Sequence, residues 1–175
     1  IEANVPGAKP RGVQAHAGYF SGRYPSGVPK KWDEADKGDD FRVTAAGNLI
    51  SRSSANGAQF RLGAYCFDNV FWQNPMALYT WTNDSQVKRN AILEGVHADP
   101  GNVHLQRGWG IQILAGGDYS DNVIAHLTHG TDSSHAIIYE HKYAKVTNNV
   151  FYRWRADKDR ADLSIQNKTG EPMAN

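Results

Sequence analysis

The chain has 175 residues, of which 40% are apolar and 21% are charged, and its formal net charge is +1. This length suffices for one compact core, and the near balance of basic and acidic residues gives no reason to expect nucleic acid or a membrane as a partner. A single cysteine, Cys66, excludes an intramolecular disulfide framework, and its apolar neighbours indicate a buried thiol.

Residues 1–44 are dominated by turn-forming residues, including four of the seven prolines. Such a composition leaves little room for regular structure. The sequence therefore predicts an irregular segment, with one short helix near Trp32, that packs along the repeats that follow or caps the first of them. We do not assign it as a second domain.

From residue 45 onward, an asparagine recurs at intervals of 21 to 32 residues, and the first five copies each precede two apolar residues. The series is Asn48, Asn69, Asn90, Asn122, Asn149 and Asn175. Recurrence in this range indicates stacked repeats, and each repeat holds only short strand-like runs separated by turn residues. The sequence predicts an all-β fold over residues 45–175, a parallel β-solenoid of about five coils.

The asparagine is expected to adopt the left-handed backbone conformation of a tight turn and to bond through its amide to the asparagine one coil away. The second apolar residue after each asparagine should stack in the core. That stack consists of Ile50, Phe71, Ile92, Ile124 and Phe151.

The clearest repeat, residues 136–153, contains three predicted strands at 136–140, 144–147 and 149–153. Equivalent first strands are predicted at 59–62, 76–81, 110–114 and 162–166. Alternation within the third of these predicts that Ile111 and Ile113 point into the core while Gln112 faces water.

This pattern, best seen in GIQILAGGDYSDNVIAHL (110–127) and AIIYEHKYAKVTNNVFYRW (136–154), resembles the right-handed parallel β-helix proteins of the pectate-lyase-like superfamily. The resemblance implies right-handed coils and a substrate groove along one sheet and its flanking loops. It implies no single activity, because the superfamily includes polysaccharide lyases, glycoside hydrolases, uronate epimerases, phage tailspikes and adhesins.

The longest repeat contains an inserted loop at 94–107, and loops often carry function. Six of the seven histidines fall between positions 97 and 141. A neutral imidazole beside an arginine suits removal of a proton next to a carboxylate, as β-elimination from a uronic acid requires. The predicted catalytic residues are His129, His135, His141 and Arg107.

Aromatic rings can stack on the apolar faces of sugars, and arginines can offset the charge of an acidic polymer. The predicted substrate-binding residues are Arg61, Trp81, Trp109, Tyr139, Arg153 and Arg155. Calcium is the one cofactor considered, with Asp99, Asp132 and Glu140 as candidate ligands, although their spacing matches no known calcium motif.

Motifs of the individual families are incomplete in this chain. The paired carboxylates of inverting polygalacturonase-like hydrolases are not evident, and Asp99-Pro100 lacks the His-Asp that follows it in mannuronan epimerases. We expect a lyase that acts on an acidic polysaccharide. A non-catalytic glycan-binding solenoid, such as a tailspike or adhesin module, is the first alternative, and a hydrolase or uronate epimerase is the second.

Two expectations concern the chain ends. Because the chain starts at Ile1 rather than Met, we expect a processed protein in an extracellular or periplasmic location. Because it stops at the sixth asparagine of the series, we expect a continuation or another chain at the last coil.

Overall fold

The computed structural model describes residues 18–20, 42–53, 55–61, 63–82, 85–96, 108–128, 134–139, 144–154 and 165–167. Throughout these ranges the regular structure is β-strand, and none of the described segments is a helix suited to crossing a membrane.

The strands follow one another in sets of three, and we call each set a coil. Coil 1 contains β1 (Gly18–Phe20), β2 (Arg42–Ala46) and β3 (Leu49–Ser51). Coil 2 contains β4 (Asn56–Phe60), β5 (Gly63–Phe67) and β6 (Val70–Trp72). Coil 3 contains β7 (Met76–Thr80), β8 (Gln86–Lys88) and β9 (Ala91–Leu93). Coil 4 contains β10 (Trp109–Ile113), β11 (Gly117–Ser120) and β12 (Val123–Ala125). Coil 5 contains β13 (Ile137–Tyr139), β14 (Ala144–Thr147) and β15 (Val150–Tyr152). One further strand, β16 (Ile165–Asn167), follows coil 5.

Equivalent strands of successive coils pair in parallel and build three sheets. The first sheet has the order β1-β4-β7-β10-β13-β16, the second β2-β5-β8-β11-β14, and the third β3-β6-β9-β12-β15. The chain thus returns to the neighbouring strand of the same sheet after each circuit, an arrangement consistent with a parallel β-solenoid. The predicted all-β class and the stacked repeats are confirmed.

The predicted inward stack lies at the centre of the third sheet. Strand register places Ile50 beside Phe71, Phe71 beside Ile92, and Ile124 between Ile92 and Phe151. The first four are at most 3% exposed, and Phe151 packs against them half-buried. Each such burial stabilises the fold by about 1.5–3 kcal/mol, so the stack ties every coil to the next.

The first sheet departs from the expected alternation on its outer face. Ile111 and Ile113 are fully buried, as predicted, but Gln112, expected to face water, is only 9% exposed. Its neighbours in the same outward row are Ile138, which is 0% exposed, and Tyr79, which is half-buried; Gln59, on the far side of Tyr79, is 6% exposed. Alternation determines which side of the sheet a residue takes and not what lies against that side. Three of these four outward side chains are shielded from solvent, and Tyr79 is half-buried.

Asparagine side chains form a hydrogen-bonded ladder at the corner between the second and third sheets. In each of its four steps the backbone N and the Nδ2 of one asparagine donate to the Oδ1 of the next, over 2.9–3.0 Å. The ladder joins Asn48, Asn69, Asn90, Asn122 and Asn149, while the predicted sixth position, Asn175, lies outside the described residues. The amides also bond main-chain carbonyls, as when Asn90 Nδ2 donates to Cys66 O at 2.9 Å. The predicted ladder is confirmed for these five.

The left-handed backbone conformation does not belong to these asparagines, so that prediction is wrong. It belongs to the residue before each of them, the entry row: Gly47 (φ 66°), Asp68 (57°), Arg89 (55°), Asp121 (59°) and Asn148 (54°). A second left-handed residue follows each third-sheet strand, the exit row: Arg52 (55°), Gln73 (53°), Glu94 (51°), His126 (59°) and Arg153 (49°). Each third-sheet strand is therefore framed by two tight corners.

Regular structure begins earlier in the chain than residue 45. Strand β1 and the first residues of β2 fall within residues 1–44, and β1 pairs with β4 as the first strand of coil 1. The short helix predicted near Trp32 lies outside the described residues.

Cys66 is fully buried in β5, and burial raises the pKa of its thiol to about 12, although a hydrogen bond from Asn69 Nδ2 to Sγ, 3.3 Å, acts in the opposite direction. We expect the free energy of unfolding to fall more steeply with pH above 9.0 in the wild-type protein than in Cys66→Ala. Between 9.0 and about 12 the unfolded thiol ionises while the folded one stays protonated, so rising pH favours unfolding.

The expected difference in slope is about 1.4 kcal/mol per pH unit. Urea denaturation of both proteins at several pH values on either side of 9.0 measures it. Below pH 9.0 the Cys66 thiol is protonated in both the folded and the unfolded wild-type protein, so the curves of the two proteins should run parallel there. Parallel curves above that pH as well would contradict the protonated, buried state of Cys66.

Candidate functional site

The described residues contain part of the predicted site. Arg61, Trp81, Trp109, Arg153 and His135 are described with their side chains, and Tyr139 is placed by its backbone in β13. The other predicted residues, which are Arg107, His129, His141, Arg155, Asp99, Asp132 and Glu140, lie outside the described residues. Their predicted roles, including the calcium site, stay predictions.

Arg61 and Trp81 lie together where the strands of the first sheet end. They directly follow Phe60 and Thr80, which are paired in register, so the two residues stack one coil apart. The Cζ atom of Arg61 lies 4.2 Å from the centre of the Trp81 ring, which is a close cation–π contact.

Tyr79 completes this group, since its ring packs edge-on against Trp81 at 5.8 Å and 76°. All three side chains are half-buried. We call Arg61, Tyr79 and Trp81 the corner cluster. It combines a fixed positive charge with two partly open aromatic rings.

The outer face of the second sheet begins beside the corner cluster. Tyr65 and Phe67 stack there with ring centres 6.0 Å apart, and Arg89 lies over Phe67 at 5.6 Å. Farther along the stack, Lys88 and Asp118 form an ion pair of 2.7 Å. This face therefore offers aromatic and charged side chains in neighbouring rows.

Sequence reasoning did not select Tyr65 and Phe67, although the signal was present. In the run Gly63–Phe67 they alternate with Ala64 and Cys66, both fully buried. Alternation alone therefore places the two rings on the outer face.

Trp109 and His135 lie at the opposite end of the first sheet. The backbone N of Gly110 donates to the carbonyl of His135 over 3.1 Å, so His135 lies next to Trp109 on the adjacent coil. Trp109 pairs with Met76, four residues before Thr80, which separates it from the corner cluster by about 13 Å along the strand. His135 is only 7% exposed. The structure brings these two residues together but not into the corner cluster.

Arg153 belongs to a third location. It ends the third-sheet strand of coil 5, where its guanidinium carbon lies 5.2 Å from the centre of the Tyr152 ring. His126, one coil away, packs edge-on against the same ring at 5.2 Å and 81°. The predicted binding residues thus divide among three edges of the fold.

Part of the charge in the described residues is held in ion pairs. Arg89 makes a two-pronged ion pair with Asp68, at 2.8 and 2.9 Å, and this bond holds the pKa of the Asp68 carboxyl below its ordinary value. Across the described part of the chain, no group of three or more His, Cys, Asp and Glu side chains is placed to hold a metal ion.

Comparisons with protein-family models, with curated proteins and with solved structures found no match to this chain. The relationship to the pectate-lyase-like superfamily therefore stays a resemblance, carried by the repeat pattern and by the stacked parallel strands. Functional inference depends on the geometry of the surfaces described above.

Proposed function

We propose that the chain is a right-handed parallel β-helix protein, similar to those of the pectate-lyase-like superfamily, that binds an acidic polysaccharide at the corner cluster. Three parallel sheets visited in turn support this fold. Right-handed coils are favoured because connections between parallel strands of one sheet are right-handed in almost all proteins.

The observation that carries the proposal is the stacking of Arg61 on Trp81 at 4.2 Å. A tryptophan ring can cover the apolar face of a sugar, while a guanidinium group can donate paired hydrogen bonds to a carboxylate. Because the arginine is held against the ring, less side-chain freedom is lost when a uronic acid binds. One cluster thus supplies both interactions that an acidic sugar requires.

The outer face of the second sheet extends this site along the stack. Its outward row aligns Tyr65 with Gln86, Asp118 and Lys145 on successive coils, about 4.8 Å apart. Hydrogen-bonding groups at this spacing suit an extended polymer that crosses the strands. The glycan would therefore run from the corner cluster across successive coils.

We expect Trp81→Ala to weaken binding of short oligogalacturonates and alginate oligosaccharides by about tenfold or more, because truncating a stacked aromatic anchor removes both its contact area and the support of Arg61. Isothermal titration calorimetry measures the affinity. Each short oligosaccharide binds only one protein molecule, so the measured affinity does not depend on multivalent binding.

The matched control is Trp72→Ala, which removes a tryptophan that is 36% exposed on the third sheet. It should leave the affinity within twofold or so of the wild type. Equal losses in both variants would contradict the location of the site, and no binding of any acidic oligosaccharide by the wild-type chain would overturn the proposal.

Cleavage by β-elimination stays a prediction, and the same samples test it through the ultraviolet absorbance of the unsaturated product. Of its proposed catalytic residues only His135 is described, and it is buried beside Trp109, at the other end of the first sheet from the corner cluster. Binding with no rise in absorbance would favour the alternative, a non-catalytic glycan-binding solenoid.

A further inference from the structure

The outer face of the third sheet is mostly apolar, and six of its ten outward side chains are exposed to solvent. It carries all the large apolar side chains that are exposed in the described part of the chain: Leu49 (55%), Val70 (37%), Trp72 (36%), Val123 (41%), Val150 (54%) and Tyr152 (49%). Contiguous exposed apolar patches of this kind mark interaction sites on soluble proteins.

Strand register arranges this face in two straight rows across all five coils. One row contains Leu49, Val70, Ala91, Val123 and Val150, and the other contains Ser51, Trp72, Leu93, Ala125 and Tyr152. Five strands at a spacing of about 4.8 Å give a face about 19 Å long. Most of its side chains are aliphatic and offer no hydrogen bonds, which favours a protein partner over a glycan.

The entry row and the exit row frame the face with charge. Read from coil 1 to coil 5, the entry row is neutral, negative, positive, negative and neutral: Gly47, Asp68, Arg89, Asp121 and Asn148. The exit row is Arg52, Gln73, Glu94, His126 and Arg153. The two rows therefore have different charge sequences, which makes the face sensitive to the orientation of whatever covers it.

A second copy can cover this face about a twofold axis that runs along the stack of coils. The exit row of each copy then meets the entry row of the other, coil by coil. Glu94 would then face the partner's Arg89, His126 the partner's Asp121, and Gln73 the partner's Asp68. Arg89 and Asp68 of each copy stay ion-paired with each other. At the two end coils, the arginines of the exit row face the neutral residues of the entry row, so no like charges meet.

The alternative is a twofold axis along the strands. It would bring the entry row of one copy against the entry row of the other, and the exit row against the exit row, with the coils in reverse order. Glu94 would then face the partner's Glu94 and Arg89 the partner's Arg89, while Arg52 would face the partner's Arg153. Like charges directly opposed in an interface cost several kcal/mol. Charge complementarity therefore selects the first arrangement.

We propose that the outer face of the third sheet is an interface between two copies of this chain, which pack face to face with their coil stacks parallel. Sheets packed in this way lie about 10 Å apart, close enough for the two pairs of apolar rows to interdigitate. The face is small for a protein interface, so we expect a reversible dimer whose population depends on concentration.

Sedimentation velocity of the full chain over a range of concentrations tests the proposal, with a shift from monomer to dimer expected. Val123→Lys, inside one apolar row, should raise the dimer dissociation constant about tenfold or more. Thr44→Lys, an exposed position on the outer face of the second sheet, is the matched control and should leave it unchanged. A monomer at every concentration, or a dimer indifferent to Val123→Lys, would overturn the proposal.

Charge reversal tests the orientation and does not depend on the folding of Val123→Lys. Glu94→Arg and Arg89→Glu alone should each weaken self-association about tenfold, because each variant places like charges opposite one another in both contacts. Arg89→Glu also removes the ion pair of Arg89 with Asp68 in its own chain. Combined in one chain, the two substitutions should restore the dimer, since both contacts then join opposite charges, whereas about the alternative axis like charges would still meet.

Glu94→Gln controls for the hydrogen bonds that Glu94 accepts from Trp72 Nε1, at 2.9 Å, and from Gln73 Nε2, at 3.1 Å. It keeps an acceptor and removes only the charge, so it should weaken the dimer less than Glu94→Arg does. If the double variant stays monomeric while an equal mixture of the two single variants forms a dimer, Glu94 faces the partner's Glu94 and the proposed orientation is wrong.

Discussion

Asn90→Ala is expected to lower the free energy of unfolding by about 3–5 kcal/mol, a large share of the stability of a chain this size. Asn90 is 1% exposed, and its Oδ1 accepts hydrogen bonds from the backbone N and the Nδ2 of Asn69, at 3.0 and 2.9 Å. Its Nδ2 donates to the Cys66 carbonyl at 2.9 Å. Alanine removes all of these bonds in a buried corner, where a backbone group left unpaired, such as Asn69 N, costs about 1–3 kcal/mol.

Asn48→Ala is the control, because Asn48 is the first asparagine of the same ladder and is half-buried, whereas Asn90 is buried. Its Nδ2 donates to Ala46 O and to Asn69 Oδ1, each at 3.0 Å, and the position is half-buried, so water can replace part of what is lost. We expect a loss of about 1 kcal/mol. Urea denaturation with comparison of m values separates stability from changes in the unfolded state. Equal losses at the two positions would contradict a cooperative, buried ladder.

The ladder and the inward stack could be predicted from the sequence because both depend on one recurring spacing. Each asparagine occupies the same corner of its coil, so residues at the same distance in sequence from each asparagine stack on one another in successive coils. The asparagine's backbone conformation could not be read from that spacing. Its side chain is turned into the corner to bond its neighbour, and the left-handed residue is the one before it, as with Asp68 before Asn69.

The corner cluster was predicted only as separate residues. Arg61 and Trp81 could be named as binding residues, but their contact depends on the register of β4 against β7, which brings Phe60 beside Thr80. For His135, the sequence indicates the residue type but not the burial of the side chain. Its type and its place in a polar loop suggested catalysis, whereas only packing reveals that it is 7% exposed.

The apolar face of the third sheet was present in the sequence, but a position was predicted only for the second apolar residue of each pair, the one in the core. Each of the first five asparagines precedes two apolar residues, yet adjacent residues of a strand point to opposite sides. In the pair after Asn149, for example, Phe151 packs against the core while Val150 is 54% exposed. Alternation applied strictly to these pairs would have predicted one outward apolar residue on each coil, and therefore an apolar row along the face.

Gly110→Ala is expected to destabilise the fold by about 2–4 kcal/mol, through overpacking rather than through the loss of a contact. A Cβ atom at this position would collide with the carbonyl oxygen of Ala136 and would lie 3.0 Å from Cγ2 of Ile124 in the core. The backbone of coil 5 is not free to withdraw, because the Ala136 carbonyl accepts a hydrogen bond from Ile111 N at 2.8 Å. Relief therefore requires β10 and β13 to separate.

Gly47→Ala separates this collision from the general cost of replacing glycine. Gly47 has a φ of 66°, and a Cβ there would meet no atom within 4 Å, so the substitution carries backbone strain alone, about 1–2 kcal/mol. Denaturant unfolding of both variants gives the comparison. If Gly110→Ala lost no more stability than Gly47→Ala, the close approach of coils 4 and 5 would be wrong. Since the same approach holds the carbonyl of His135 3.1 Å from Gly110 N, the placement of His135 beside Trp109 would be wrong with it.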